Sequence, residues 1–315
     1  MAAGFYNGKN LKAQCSKMDE WTVGRKILFM LVLLAGMCLT GYLLLVAAYL
    51  IPEEYMQENM IESAKNFEMN TYPRLMGTRN SQLDNFTDAL MLLNASHVEE
   101  DESVFEQAVN VKRYGVVDRN PNESLINIYG EGGQEYEELS YARYWHGYLI
   151  FLKPLLALFE YGTIRYILMF VQLGLFVTLI VKLTTVDKRM VIPTFMMWLF
   201  LNPVTIMLSL QFSTVIIITL MAMSAIVFGS EYLKEYRFVW NVFFFLVGGL
   251  TSYFDFLTYP LVSLGVPLTL WLFLNSDRIA GGWNATKHGK VNLLGNGIPG
   301  YVGFEVVFGE CHCSG

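Results

Sequence analysis

Long apolar runs, separated by short polar links and one long polar segment, dominate the hydrophobic pattern of this chain. The first run, residues 27–51, contains no charged side chain. About 20 apolar residues suffice to cross the hydrocarbon core of a bilayer, whereas the apolar region of a cleavable signal has about 7–15. Because the run is long and continues into Pro52-Glu53-Glu54, we predict an uncleaved transmembrane anchor.

Several further apolar blocks predict a polytopic bundle. They are residues 164–183, 191–210, 212–228, 238–253 and 257–274. The block 144–159 is short for a span and contains Lys153-Pro154, so we favour a half-inserted or interface-lying helix over a crossing. A crossing there would invert every later assignment. The expected fold class is an all-α, polytopic helical membrane protein with about six to seven transmembrane helices.

The long polar segment, residues 52–146, carries helical patterns of its own. Residues 53–69, 83–96 and 101–111 have apolar positions at helical spacing, and Asp84 is placed to cap the second of these helices. The Gly-, Asn- and Pro-rich residues 119–134 predict a mobile loop. We therefore expect short juxtamembrane helices lying on the outer membrane face.

Charge sets the expected orientation. Five Lys and Arg residues precede the first apolar run, against Asp19 and Glu20, whereas residues 52–146 carry 18 acidic and 7 basic side chains. Because Lys and Arg concentrate on cytoplasmic flanks, we expect a cytoplasmic N-terminus and an extracytoplasmic polar segment. The chain is 54% hydrophobic and only 16% charged, which favours a lipid bilayer as partner and no nucleic acid.

These patterns divide the chain into five regions. They are a cytoplasmic N-terminus (1–26), the anchor (27–51), an extracytoplasmic helical loop (52–146), a transmembrane bundle (147–274) and an irregular tail (275–315). The tail is rich in glycine and abruptly loses the apolar periodicity. We expect it to be truncated or misread.

Three short segments carry a resemblance to a known superfamily. They read KPLLALFEYGTIR (153–165), LNP (201–203) and LVGGLTSY (246–253). Their order, after one anchor and an outer loop with short helices, resembles that of the GT-C superfamily of polyprenyl-phosphate-dependent membrane glycosyltransferases, over roughly residues 27–274. Two other segments, DNFTDALML (84–92) and YARYWHGY (141–148), resemble segments of bacterial integral membrane proteins. Members of the superfamily usually have more than six spans, which is one departure.

The resemblance implies a function and a location. We expect sugar transfer from a polyprenyl-phosphate-linked donor at the outer face of a bacterial plasma membrane. A carboxylate in the first outer loop would act as catalytic base or metal ligand. Asp84 and Asp88 lie at i and i+4, so they could share a divalent cation or orient an acceptor. The alternative is a helix cap at Asp84 and a solvated first-turn acid at Asp88. The resemblance leaves the need for a metal open.

Other candidate site residues come from the membrane-flanking segments. Asp255 stands among aromatic residues between two apolar blocks, as a third catalytic candidate or as the mark of a turn. Substrate contacts are predicted for a mixed cationic and aromatic set, namely Arg143, Tyr144, Trp145, His146 and Lys153. Arg and Lys could hold a lipid phosphate there. The alternative is an aromatic interface belt with snorkelling cations.

Two other functions compete with glycosyl transfer. A transporter or flippase for envelope lipids predicts polar, broken helices at mid-depth in repeated halves. A non-catalytic membrane scaffold predicts that Asp84, Arg143, His146 and Asp255 lie apart in space. The spatial arrangement of these four residues therefore bears on all three hypotheses.

Overall fold

A computed structural model describes residues 8–99, 101–130, 136–255 and 258–276. The chain divides into two compact units, 1–270 and 271–315. In the second unit the described residues are 271–276, where Asn275 donates a side-chain hydrogen bond to the Trp271 carbonyl. The predicted irregular tail lies, from residue 277 onward, outside the described residues.

The described residues are predominantly helical. The helices are α1 (Gly8–Asp19), α2 (Val23–Tyr49), α3 (Glu54–Asn66), α4 (Asn85–Ser96), α5 (Val104–Asn110), α6 (Pro121–Tyr129), α7 (Leu149–Leu156), α8 (Tyr161–Val186), α9 (Val191–Phe200), α10 (Pro203–Met207), α11 (Leu210–Leu233), α12 (Arg237–Phe254) and α13 (Pro260–Leu274). Two short strands, β1 (Lys112–Gly115) and β2 (Glu137–Ser140), pair antiparallel.

Four of the described helices are long and apolar enough to cross a membrane: α2, α8, residues 210–230 of α11, and α12. The predicted span 191–210 is instead divided into α9 and α10, because Asn202 adopts a left-handed φ of 57° and Pro203 begins a new helix. Helix α13 has 15 residues. The helical fold class is confirmed in outline, and the count of six to seven spans stays a prediction.

The α2 and α12 helices run parallel. At one end Asp19 accepts hydrogen bonds from the first backbone amides of α12, those of Arg237 and Phe238, at 3.2 and 2.7 Å. At the other end the Tyr253 hydroxyl donates to the Gly41 carbonyl. We call this second end of the bundle the cap end, because the polar segment packs there.

The cap comprises residues 54–156, with α3 to α7 and both strands. Its core is continuous with the end of α2 and the start of α8. The fully buried members include Met56, Met60, Leu92, Leu93, Leu125 and Leu149. The three helices predicted here are present as α3, α4 and α5. The cap is therefore a packed layer rather than a set of separate helices on a surface.

Two predictions for the cap are wrong. Residues 119–134 were expected to form a mobile loop, but α6 occupies 121–129, because the Asn120 side chain accepts from the Glu123 amide and Pro121 takes the first helical position. The all-α expectation also missed β1 and β2, whose register pairs Lys112 with Ser140. Residues 131–135 lie outside the described part of the chain.

The block 144–159 does not form a spanning helix. It yields α7, with eight residues, and at 1.5 Å per residue such a helix is about 12 Å long, against a hydrocarbon core of about 30 Å. Leu149, Leu152 and Leu156 of α7 are buried in the cap core. This agrees with the favoured prediction that the block does not cross.

One buried carboxylate joins the cap to the bundle. Asp88, in the first turn of α4, is 2% exposed. It accepts from the backbone amides of Leu210 and Gln211 at 3.1 and 3.0 Å, and from the Ser209 hydroxyl at 3.1 Å. The Tyr161 hydroxyl, at the start of α8, donates the fourth bond at 2.7 Å. Asp88 thus caps α11 from a distant part of the chain.

Replacing the Asp88 carboxylate should lower the free energy of unfolding more than replacing a local helix cap. We expect Asp88→Ala to lower the free energy of unfolding by about 3–5 kcal/mol, because it leaves buried donors unpaired. The matched variant Asp84→Ala removes a local cap and should cost about 1 kcal/mol. Chemical unfolding of the purified protein in detergent micelles measures both. Equal losses in the two variants would contradict this role for Asp88.

Candidate functional site

The two candidate catalytic carboxylates of α4 do not share an open site. Both oxygens of Asp84 accept hydrogen bonds from Thr87, at 3.1 Å from its amide and 2.8 Å from its hydroxyl. Asp88 faces the helix starts described above. Burial raises the pKa of the Asp88 carboxyl, and the bonds from Tyr161, Gln211 and Leu210 oppose that rise. These hydrogen bonds agree with the alternative that Asp84 and Asp88 serve helix ends, Asp84 at the start of α4 and Asp88 at the start of α11.

Arg143 and Trp145 lie at the surface of the cap. Arg143 is exposed, and its guanidinium carbon lies 5.5 Å from the centroid of the Tyr144 ring. Trp145 is 43% exposed, and its ring lies 5.9 Å from that of Tyr253 in α12. The exposed indole of Trp145 thus lies where the cap meets the bundle, two residues after the exposed cation of Arg143.

His146 points into the interior and holds the entry to α7. Its Nε2 lies 2.6 Å from the Tyr141 carbonyl, and its Nδ1 lies 3.1 Å from the Tyr148 hydroxyl. Because a carbonyl only accepts, Nε2 carries the proton. The Tyr148 hydroxyl accepts from Asn94 at 2.9 Å and therefore donates to Nδ1. Burial lowers the pKa of His146 to about 4, in keeping with this neutral ring.

Lys153 is also internal, and it caps the far end of α4. Its side chain is fully buried, and Nζ donates to the Ala95 and His97 carbonyls at 2.8 and 3.4 Å. The ammonium also lies 4.6 Å from the centroid of the Tyr49 ring. A cation at a helix C-terminus is favoured by the helix dipole. The predicted cationic set is therefore divided, with Arg143 on the surface and His146 and Lys153 inside.

Tyr253 connects α2, α12 and the segment before α7. The Gly147 amide donates to the Tyr253 carbonyl at 2.9 Å. A Cβ atom at Gly147 would lie 2.4 Å from this ring, and one at Gly41 would lie 2.6 Å from it. Only glycine permits that approach on either side of the ring.

Asp255, two residues after Tyr253, belongs to a polar group at the cap end. It is 4% exposed, and its Oδ2 accepts from the Thr258 amide at 2.7 Å. The Thr214 hydroxyl lies 3.5 Å from Oδ1. The Gln211 side chain donates to the Thr258 hydroxyl at 3.2 Å, and the Gln211 backbone amide donates to Asp88. Hydrogen bonds therefore connect Asp255 to Asp88 through Thr258 and Gln211.

An apolar groove of about 590 Å³ opens between α2 and α12. One wall is the face of α2 from Phe29 to Leu44, and the other is Gly249–Phe254. Trp145 closes the cap end of the groove beside Tyr253. Its polar lining atoms belong to uncharged residues such as Thr40 and Ser252. The groove suits a hydrocarbon chain.

A second polar cluster, not anticipated from the sequence, lies where α4 ends. Lys112 contacts Glu99, Glu102 and Glu138, and the ring of His97 packs 4.6 Å from that of Tyr114. Burial lowers the pKa of His97 to about 4, and the carboxylates raise the pKa of Lys112. The neighbouring Glu99 raises the pKa of Glu138. The local signal was the triplet His97-Val98-Glu99, but its partners come from β1 and β2.

Comparison with protein-family models, with curated proteins and with solved structures gives no match. The function of the chain has to be inferred from the groove and from the residues at its cap end. Of the predicted site residues, Trp145 lines the groove, Arg143 is an exposed cation two residues before Trp145, and Asp255 follows the lining residue Phe254.

The neutral, buried His146 predicts acid sensitivity. In the unfolded chain His146 takes up a proton near its usual pKa of about 6.5, whereas in the folded protein its pKa is about 4. The free energy of unfolding therefore falls as the pH drops below about 6.5. From pH 7.5 to pH 5 this group should cost about 2 kcal/mol. His97 adds a similar loss in the same range.

The variant His146→Asn isolates the contribution of this histidine. Asparagine tolerates the left-handed φ of 54° at this position but does not titrate there. We expect its unfolding free energy in micelles to fall about 2 kcal/mol less than that of the unmodified chain between pH 7.5 and pH 5. The same pH dependence in both proteins would show that His146 is not the sensor.

Proposed function

We propose that this protein is a GT-C-like glycosyltransferase that takes its sugar from a polyprenyl-phosphate donor at the cap end of the bundle. The observation that supports it is the groove between α2 and α12, whose lining residues Trp145 and Phe254 are within two residues of Arg143 and Asp255 along the chain. Such a donor requires an apolar surface for its prenyl chain and a cation for its phosphate, and the acceptor hydroxyl requires a base.

The groove provides room for the prenyl chain. The stretch of α2 along it, Phe29 to Leu44, is about 22 Å long at 1.5 Å per residue. Apolar side chains dominate its walls. Gly36 widens the groove by lacking a side chain, whereas Gly249 allows the close approach of Met37. An isoprenoid buried there exchanges lipid contacts for protein contacts, so its binding depends on the shape of the groove.

The residues next to the groove supply the polar chemistry. Trp145 lines the groove, and Arg143 precedes it by two residues with an exposed guanidinium that can bind a phosphate bidentately. Phe254 also lines it, and Asp255 follows as the candidate base for the acceptor hydroxyl. The exposed indole of Trp145 offers an apolar face to a sugar.

The same lining weighs against a flippase route through this groove. Moving a charged headgroup across a membrane needs polar groups along the path. In the described lining, the side chains are apolar apart from hydroxyl- and sulfur-bearing ones. A hydrocarbon-binding groove with a polar mouth fits transfer at one face better than transport between faces.

Binding of a radiolabelled long-chain polyprenyl phosphate to the purified protein tests the proposal. Gly36→Phe should fill the groove, because a Cβ there meets nothing within 4 Å, and Arg143→Ala should remove the phosphate contact. We expect each to weaken binding about tenfold or more.

Two matched variants serve as controls. Gly174→Phe places the same side chain in equally open space on α8, and Arg119→Ala removes another exposed arginine of the cap. Both should leave binding unchanged. Unaltered binding in Gly36→Phe and Arg143→Ala, or equal competition by phosphatidic acid, would overturn the proposal. Asp255→Asn should retain donor binding and lose sugar transfer.

A further inference from the structure

The cluster around Lys112 contains more negative than positive charge. Nζ of Lys112 lies 2.7 Å from Glu99, 2.9 Å from Glu102 and 3.5 Å from Glu138, measured to carboxylate oxygens. Three carboxylates therefore surround one ammonium. Such a cluster alone is common on protein surfaces, so a second observation is needed before it indicates a ligand.

That observation is the imidazole of His97. Its side chain is 2% exposed, and its buried Nε2 makes no hydrogen bond with any of the described residues. Nε2 points at the cluster, 3.5 Å from Oε1 of Glu138. Buried polar atoms are nearly always hydrogen-bonded, so one without a partner needs an explanation. A cation between His97 and the carboxylates would supply the missing partner.

The ligand atoms are already gathered. One atom each from His97, Glu99 and Glu138 lie within 4.8 Å of one another. Around Zn²⁺, with ligand distances of about 2.0–2.2 Å, a tetrahedron places its corners about 3.3–3.6 Å apart. Small rotations of the Glu99 and Glu138 side chains, which are not fully buried, would bring the ligand atoms from within 4.8 Å to this tetrahedral spacing.

We propose that His97, Glu99 and Glu138 form a binding site for a divalent transition-metal ion, with Zn²⁺ as the best-fitting candidate. One imidazole and two carboxylates suit zinc, whereas Mg²⁺ and Ca²⁺ prefer all-oxygen sites. Lys112 would keep its ion pair with Glu102 when the metal binds. Two charges from the ion then balance the two carboxylates that bind it, so the whole cluster becomes neutral.

Such an ion would fix one strand of the cap. His97 and Glu99 follow the end of α4, whereas Glu138 lies on β2. Strand β2 runs directly into the segment that carries Arg143, and the Tyr141 amide donates to the Val111 carbonyl at 2.9 Å. The metal would thus tie the segment leading to Arg143 to α4. This inference goes beyond the proposed transferase activity and does not depend on it.

Zinc titration of the full chain tests the site. Because cysteine thiolates are zinc ligands in general and the chain also contains Cys311 and Cys313, the titration uses the full chain carrying Cys311→Ser and Cys313→Ser. After removal of metal by a chelator, a chromophoric zinc competitor reports affinity, elemental analysis reports stoichiometry, and thermal unfolding reports stabilisation. We expect about one equivalent of bound Zn²⁺ and a higher melting temperature, neither reproduced by equimolar Mg²⁺.

Four variants of the chain that carries Cys311→Ser and Cys313→Ser test whether zinc binds at this cluster. His97→Gln and Glu138→Gln should each weaken zinc binding about tenfold or more. Glu138 is 37% exposed, so its variant tests the site even if the buried His97 variant folds poorly. Lys112→Met should tighten binding, because it removes the competing ammonium. Glu62→Gln, on α3, is the matched control and should change nothing.

Several outcomes would overturn the proposal. They are the absence of zinc binding, binding that His97→Gln and Glu138→Gln leave unchanged, and equal stabilisation by Mg²⁺. Because the readouts are metal affinity and melting temperature, a failed transferase proposal would leave them unaffected.

Discussion

The carboxylate of Asp88 lies where α4, α8 and α11 meet, and each of its oxygens accepts two hydrogen bonds. A buried anion is costly unless it is fully compensated. Here the compensation comes from the start of two long bundle helices, which must therefore approach the cap at this point. Farther along α8 and α11, Gln172 donates to Ser213 at 3.0 Å. The position of the cap on the bundle thus depends on one satisfied charge.

Helix α4 is held at both ends by charges that agree with its dipole. Asp88 lies in its first turn, and the ammonium of Lys153 binds the carbonyls at its end. The buried network of Asn94, Tyr148 and His146 fixes α7 against the same helix. Residues that a search for catalytic groups would select first are therefore used to build the cap. Of the predicted site residues, Trp145 lines the groove between α2 and α12.

The two proposed sites meet at one segment of the chain. The proposed metal ligand Glu138 lies on β2, and the segment after β2 contains Arg143 and the groove residue Trp145. Gly147 then allows the close approach of Tyr253, whose ring lies between this segment and α2. Rigid elements on both sides thus limit how far the short stretch between them can move. The proposed contact between Arg143 and a phosphate would need such rigid neighbouring elements to hold the side chain in position.

Much of the fold could be predicted from local pattern. Uninterrupted apolar runs identify α2, α8, α11 and α12, because backbone groups in a bilayer must satisfy one another within a helix. Helical spacing and the Asp84 cap identify α4. The α6 helix was missed although Asn120 and Pro121 are ordinary start signals, since nearby glycines suggested a loop. Strands β1 and β2 were missed because each has only four residues and its partner is distant in the chain.

The site depended far more on tertiary structure. By itself the sequence determined which residues could carry charge near a membrane, and it placed Arg143, Trp145 and Asp255 beside apolar helices. Only the tertiary structure decided that Asp88 and Lys153 are internal, and that His97 faces glutamates from other elements. The physical reason is that the role of a charged side chain depends on its burial and partners. Here those partners come from elements far apart in the chain, as Leu210 does for Asp88.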